Sequence, residues 1–217
     1  MLEVTPYLFG ISIDIRFPKP RSFSKQRLDG LLVRLTDSEN GLALRSDQIR
    51  LRHNDFAFDY ELKASFLANN AVLIHDAEKF FLSVSGGRTE ADTRLLVETA
   101  KRFLWSSEVS SDDVGLLWIN THAKVDTKER RDEFLRGFAA DSKITGPGAL
   151  AYVHVAEWPD DVRFSLEPSL GVPDSLFFAW NTQFRGISAF SSIETLTGML
   201  ASVAGVFGII FKPFTQS

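Results

Sequence analysis

The stretch KQRLDGLLVRL, residues 25–35, decides the fold, because KERRDEFLRGF repeats its pattern at residues 128–138. At a displacement of 103 residues, from 25 to 128, Lys25, Arg27, Asp29 and Leu32 fall on Lys128, Arg130, Asp132 and Leu135. Leu31 and Leu35 fall on Phe134 and Phe138, so each segment reads as an amphipathic helix with one apolar stripe. A second pair of helix starts recurs 102 residues apart, from 89 to 191: Thr89 with Asp92, and Ser191 with Glu194. A hydroxyl followed three residues later by a carboxylate marks a capping box. Glycine and arginine precede both, as Gly87-Arg88 and Arg185-Gly186. Two registers of nearly equal length point to a tandem duplication.

Working outward from these helices gives the strands. Phe9, Ile11, Ile13, Ile15 and Phe17 alternate with Gly10, Ser12, Asp14 and Arg16, a period of two with one buried face. Pro18 and Pro20 stop that strand, and a helix starts after Ser22 or Ser24 and ends in the polar run from Asp37 to Gly41. LALRSDQIRLR (42–52) and DFAFDYELKASF (55–66) read as a hairpin turning at His53-Asn54-Asp55. Ile49 and Leu51 then share a face with Phe56, Phe58 and Tyr60, while Arg50 and Arg52 pair across the strands with Asp55, Asp59 or Glu61. AVLIH from Ala71 and KFFLSVS from Lys79 follow as strands after the Asn69-Asn70 turn, and the helix capped by Thr89 runs to about Trp105. Past a polar linker the order restarts with strand LLWINTH (116–122), helix TKERRDEFLRGFAA (127–140), three strands over 149–158, 162–168 and 175–184, and a closing helix.

The fold class expected is α+β: a duplicated β-α-β(3-4)-α unit forming a curved antiparallel sheet backed by helices on one face. The halves span 1–107 and 108–217 within one continuous domain. Two helices per half can cover only one face of such a sheet. Joined edge to edge, the halves resemble in topology the saddle-shaped fold of the TATA-box-binding protein, with none of that family's motifs and an acidic balance unsuited to gripping DNA.

Charge and composition narrow the partners. Lysine and arginine number 24 against 28 acids, a net charge of -4, which gives no overall attraction to phosphate backbones or anionic lipid. Basic residues read as mixed with acids along the chain, so nucleic acid and membrane are the partners least expected. Cysteine is absent, which excludes a disulfide framework, a thiolate metal site and a cysteine nucleophile, and makes the reducing cytoplasm the expected compartment. The opening MLEVTPYLFGISIDIRF has no basic n-region and does not read as a signal peptide. Nineteen phenylalanines suit bulky packing between helices and sheet.

Chemistry-bearing patterns are sparse. His53, His75, His122 and His154 stand at no metal-ligand spacing and in no triad motif, and folding alone could gather His75, Asp76, His122 and His154. No catalytic residue, metal or cofactor is expected. Gly86, Gly87 and Arg88, in VSGGRTE at a strand-to-helix junction, form a candidate anion site without a GxGxxG or P-loop pattern. The loop around Gly146, Pro147 and Gly148 offers Asp141 and Lys143, and Trp118, Trp158 and Trp180 are expected to pack on or beside second-half strands. Adjacent acids Asp112-Asp113 and Asp160-Asp161 read as residues that cap and solvate turns.

TLTGMLASVAGVFGIIF, residues 195–211, carries no charge, yet it is short for a membrane span and broken by glycines. It reads as a helix apolar all round, whose second face, with Leu196, Leu200, Val203, Ala204 and Phe207, mediates self-association. The function expected is a non-enzymatic binding or assembly protein that forms a homo-oligomer and takes a protein partner. The alternatives are a small-ligand binder or enzyme with a pocket between sheet and helices, using histidines and Arg88 or Arg185, and nucleic-acid binding on the sheet face through Arg16, Arg50, Arg52 and Lys63.

Overall fold

The computed structural model describes residues 1–22, 24–39, 42–54, 58–106, 113–139, 148–154, 162–185 and 201–213. The described residues form ten strands: β1 (Leu2–Arg16), β2 (Ile49–His53), β3 (Tyr60–Phe66), β4 (Ala71–Asp76), β5 (Lys79–Gly87), β6 (Val114–Lys124), β7 (Ala149–Val153), β8 (Val162–Pro168), β9 (Ser175–Arg185) and β10 (Ile209–Phe211). Helices α1 (Lys25–Thr36), α2 (Glu90–Ser106) and α3 (Lys128–Arg136) lie between them, and residues 201–206 are also helical. The fold is sheet-dominated α+β.

All ten strands join one sheet in the order β2-β3-β4-β5-β1-β6-β9-β8-β7, with β10 added parallel to the start of β1. β1 and β6 lie side by side at its centre, with Ile11 opposite Ile119 and Ile13 opposite Leu117. On each side of that seam the chain first reaches an edge, at β2 or β7, and pairs back inward to β5 beside β1 and to β9 beside β6. Strict alternation puts Ile11, Ile13, Ile15, Leu82, Val84, Leu117 and Ile119 on one face, all buried. Leu28, Leu31 and Leu35 of α1, Leu96 and Val97 of α2, and Leu135 of α3 bury into the same core as that face. The opposite face carries no helix among the described residues.

Local sequence explains the helix starts. Thr127 caps α3 by accepting a hydrogen bond from the Arg130 amide at 3.2 Å. At α2 the Thr89 hydroxyl accepts from the Asp92 amide at 3.1 Å, while the Asp92 carboxylate accepts from the Thr89 amide at 3.0 Å, closing the expected capping box.

Three expectations are corrected. The apolar stretch 195–211 is not one helix: the chain turns at Gly208, whose φ of 74° suits a residue without Cβ, and continues as β10 beside Leu2–Val4. Asp113 does not solvate a turn: its side chain is 1% exposed, and both oxygens lie 2.6 Å from Nη2 of Arg21. The hairpin strand before His53 is also shorter than expected, because residues 46–48 form a 3-10 turn and only Ile49–His53 pair. Phe58 stands outside any strand and is exposed, and Asp55 and Phe56 lie outside the described residues.

Candidate functional site

The uncovered face of the sheet is the broadest candidate surface, and strand register lays it out in rows. One row runs Arg50, Lys63, Ile74, Phe81, Asp14, Leu116 and Gln183 across six neighbouring pairings. The next runs Ser65, Val72, Ser83, Ser12, Trp118, Asn181, Arg163 and Tyr152. Around the β1–β6 seam these rows hold apolar, aromatic and neutral polar groups: Phe81, Leu116, Trp118, Ser12, Ser83 and Asn181. Ser12 and Ser83 share a hydrogen bond of 2.9 Å between their hydroxyls. Asp14 is the acid among them. Its Oδ1 is buried with no hydrogen-bond partner, although Nε of Arg16 lies 3.2 Å away, off hydrogen-bond geometry. Charged side chains therefore stand mostly toward the two ends of the rows, and Tyr152 at the β7 end is 68% exposed.

Register also corrects the expected charge pairing on β2. Arg52 does face Glu61 and lies 4.0 Å from Asp59, but Arg50 stands directly opposite Lys63. Like charges across a strand pair repel.

Histidines do not gather. His75 lies on the core face of β4 at 4% exposure, ringed by Phe17, Tyr60 and Phe80, whereas His122 lies on the uncovered face of β6. Nδ1 of His75 is 3.2 Å from the Asp76 carbonyl, which can only accept, so that nitrogen carries the proton and shares it with the Tyr60 oxygen at 3.3 Å. Burial holds its pKa down to about 4, from an ordinary 6.5. Nδ1 of His122 and the Ser169 hydroxyl share a hydrogen bond of 2.8 Å, and that hydroxyl oxygen accepts from the Val172 amide at 2.9 Å. Partial burial lowers its pKa as well. His53 and His154 are exposed, and no group of three potential metal ligands exists among the described residues.

His75 makes stability depend on pH in a defined direction. Between pH 6.5 and about 4 the unfolded chain binds the imidazole proton and the fold does not, so stability falls as pH is lowered through that window. The expected loss from this residue is about 3 kcal/mol. Urea unfolding of the wild type and of His75→Gln across that window checks it: the variant should show a slope shallower by that amount, and equal slopes would contradict it.

Gly86, Gly87 and Arg88 sit where β5 leads into α2. Gly86 has a φ of 91°, and a Cβ there would stand 3.0 Å from the Asn70 side chain; a Cβ on Gly87 would meet Leu96 at the same distance. Both glycines therefore serve close packing. The amides of Arg88 and Thr89 each donate to Asp92 Oδ2 at 3.0 Å, which lowers the Asp92 pKa. An anion binding there would have to displace that internal carboxylate. The Arg88 guanidinium lies 5.8 Å over the Tyr7 ring.

In the last helix, Val203 and Ala204 are buried in the chain's own core, and Phe207 stacks on Phe164 at 4.7 Å between ring centroids. What this helix leaves open is Ala201, Ser202, Gly205 and Val206, the last 77% exposed. Leu196, Leu200, Asp141, Lys143 and Trp158 lie outside the described residues, as does the side chain of Arg185. Trp180 is buried against Phe164, and Trp118 is half-buried on the uncovered face. No described helix is long and apolar enough to cross a membrane.

No protein-family model matches the chain, and no curated protein matches it.

Proposed function

We propose that this chain is a non-enzymatic, cytoplasmic binding protein that receives a polypeptide partner on the uncovered face of its sheet and self-associates through its last helix. The composition of that face carries the proposal. Phe81, Leu116 and Trp118 cluster at the seam with small neutral groups around them, and most charges lie farther out, the layout of a desolvated interface centre inside a polar rim.

A tandem origin accounts for so broad a face. After β1 the chain moves to the edge strand β2 and pairs back inward through β3, β4 and β5, and after β6 it moves to the opposite edge at β7 and returns through β8 and β9. At the 103-residue displacement Leu31, Leu32 and Leu35 of α1 fall on Phe134, Leu135 and Phe138, which are buried or half-buried alike. The 102-residue register is less regular at the last helix. Thr99 is buried in α2, whereas its counterpart Ala201 is exposed. Duplication of a β-α-β(3-4)-α unit, with a local length change before that helix and curvature of the joined sheet, is the reading we adopt.

Self-association then runs through Leu196, Leu200 and Val206 rather than Val203, Ala204 and Phe207, with Gly205 allowing close approach since a Cβ there would meet nothing within 4 Å. Light scattering after size exclusion should give a mass above the 24.3 kDa of one chain, reduced to one chain by Val206→Glu. A strictly monomeric wild type at high concentration removes the assembly half. Selection from a random peptide display library tests the face: binders should be lost with Trp118→Arg and kept with Val206→Glu. Recovery of only Trp118-independent peptides would remove the binding half.

A further inference from the structure

We infer that the corner of the sheet at β2 and β3 is a binding site for a phosphate group. A cavity of about 460 Å³ opens there, lined by Arg45, Gln48, Arg50, Lys63, Ser65 and Asn69. Arg50 and Lys63 are direct cross-strand partners on an edge of the sheet, and neither has an acidic partner among the described residues. Two cations held side by side repel unless something negative lies between them. The cavity holds one acid, Asp47, and it is engaged by Arg45 at 3.2 Å, leaving the Arg50–Lys63 pair uncompensated. Ser65 follows Lys63 on the same side of β3 and adds a hydroxyl, and the Asn69 amide adds further donors from the wall.

That wall is held in an unusual conformation. Leu67, Ala68 and Asn69 have φ of 50°, 53° and 70°, three successive non-glycine residues in the left-handed region. Such conformations persist where the surroundings over-determine them, and they cluster at ligand clamps. Here the Asn70 amide bonds the Leu67 carbonyl at 3.0 Å, and the Asn70 carbonyl accepts from the Ser85 amide at 2.8 Å, fixing the turn against β5. A tetrahedral anion fits the chemistry: a planar guanidinium fork and a point-charge ammonium, with hydroxyl and amide donors beside them. The site rests on the cavity alone and does not depend on what the sheet centre binds.

The source of the phosphate, free or carried on a nucleic-acid backbone, is separated by the test. Thermal unfolding in sodium phosphate and in sodium chloride of equal ionic strength is compared for the wild type, Lys63→Glu and Lys63→Gln. The wild type should gain about 2–4 °C in phosphate over chloride, and both variants should lose that gain. Lys63→Glu, which places a carboxylate opposite Arg50, should equal or exceed the wild type in chloride. Equal phosphate increments in all three proteins would overturn the site, and so would a chloride Tm for Lys63→Glu well below that of Lys63→Gln. Titration with thymidine monophosphate and with a twenty-nucleotide oligothymidylate then assigns the source. Equal affinities, both weakened at least tenfold by Lys63→Gln, mark a free phosphate ligand. An oligonucleotide bound at least tenfold tighter, with affinity that falls in both Lys63→Gln and Trp118→Ala, marks a strand crossing the face.

Discussion

Asp113→Ala is expected to cost about 3–5 kcal/mol of unfolding free energy, the loss that follows when one partner of a buried ion pair is removed and the other is left behind. Arg21 is 25% exposed at its side chain, its guanidinium lies 4.0 Å over the Phe17 ring, and its amide donates to the Ala77 carbonyl at 2.7 Å. Swinging the guanidinium into water would undo its contact with the Phe17 ring, and the backbone bond to Ala77 keeps the residue in place. The pair pins the segment after β1 to the residue before β6, so the loss should be felt at the seam. Urea unfolding measures it directly. A double variant, Arg21→Met with Asp113→Leu, should recover most of the loss, because well-packed apolar groups can replace a buried pair at little cost. A single-variant loss below about 1 kcal/mol would show that the pair is dispensable.

Phe164→Ala is expected to cost a similar amount, about 3–5 kcal/mol. Phe164 is fully buried on β8, stacked on Phe207 at 4.7 Å, with Trp180 edge-on at 5.2 Å and Phe178 at 6.3 Å. Its removal takes away both the transfer term and the ring contacts, and the space cannot collapse while the strands on either side hold register. Because Phe207 follows the last helix, amide exchange over residues 201–206 should quicken in the same variant. Stability near that of the wild type, with unchanged exchange, would mean that this helix is anchored elsewhere.

Local signals in the sequence carried over well, and distant ones did not. The alternation of Ile11, Ile13 and Ile15, and the cap at Thr89, depend on neighbours a few residues away, and each formed as expected. Arg21 and Asp113 stand 92 positions apart, and nothing near either one announces the other. Strand register is a subtler loss. The pairing of Arg50 with Lys63 is set by how many residues the connection to Tyr60 takes up, and a turn placed too early assigns the wrong partner. At the chain's apolar end, helix and strand share a composition, so the change at Gly208 was hidden; Ile209 and Ile210 after two glycines were the available signal. The face centred on Trp118 was out of reach for the same reason as the ion pair, since its members come from strands that meet only after folding.

The place of β1 has a kinetic side. Ile13 meets Leu82 on one flank and Leu117 on the other, so among the described residues β1 is paired by partners far along the chain. Pairings within β3, β4 and β5 are short-range and can form early, whereas closing the long loops that bring β5 and then β6 against β1 makes the centre of the sheet its slowest part. While β6 is still missing, β1 holds a long apolar edge with unsatisfied amides and carbonyls, the shape that invites pairing with another nascent copy. The sheet is thus most vulnerable, during synthesis, at the strand that ends up deepest inside it.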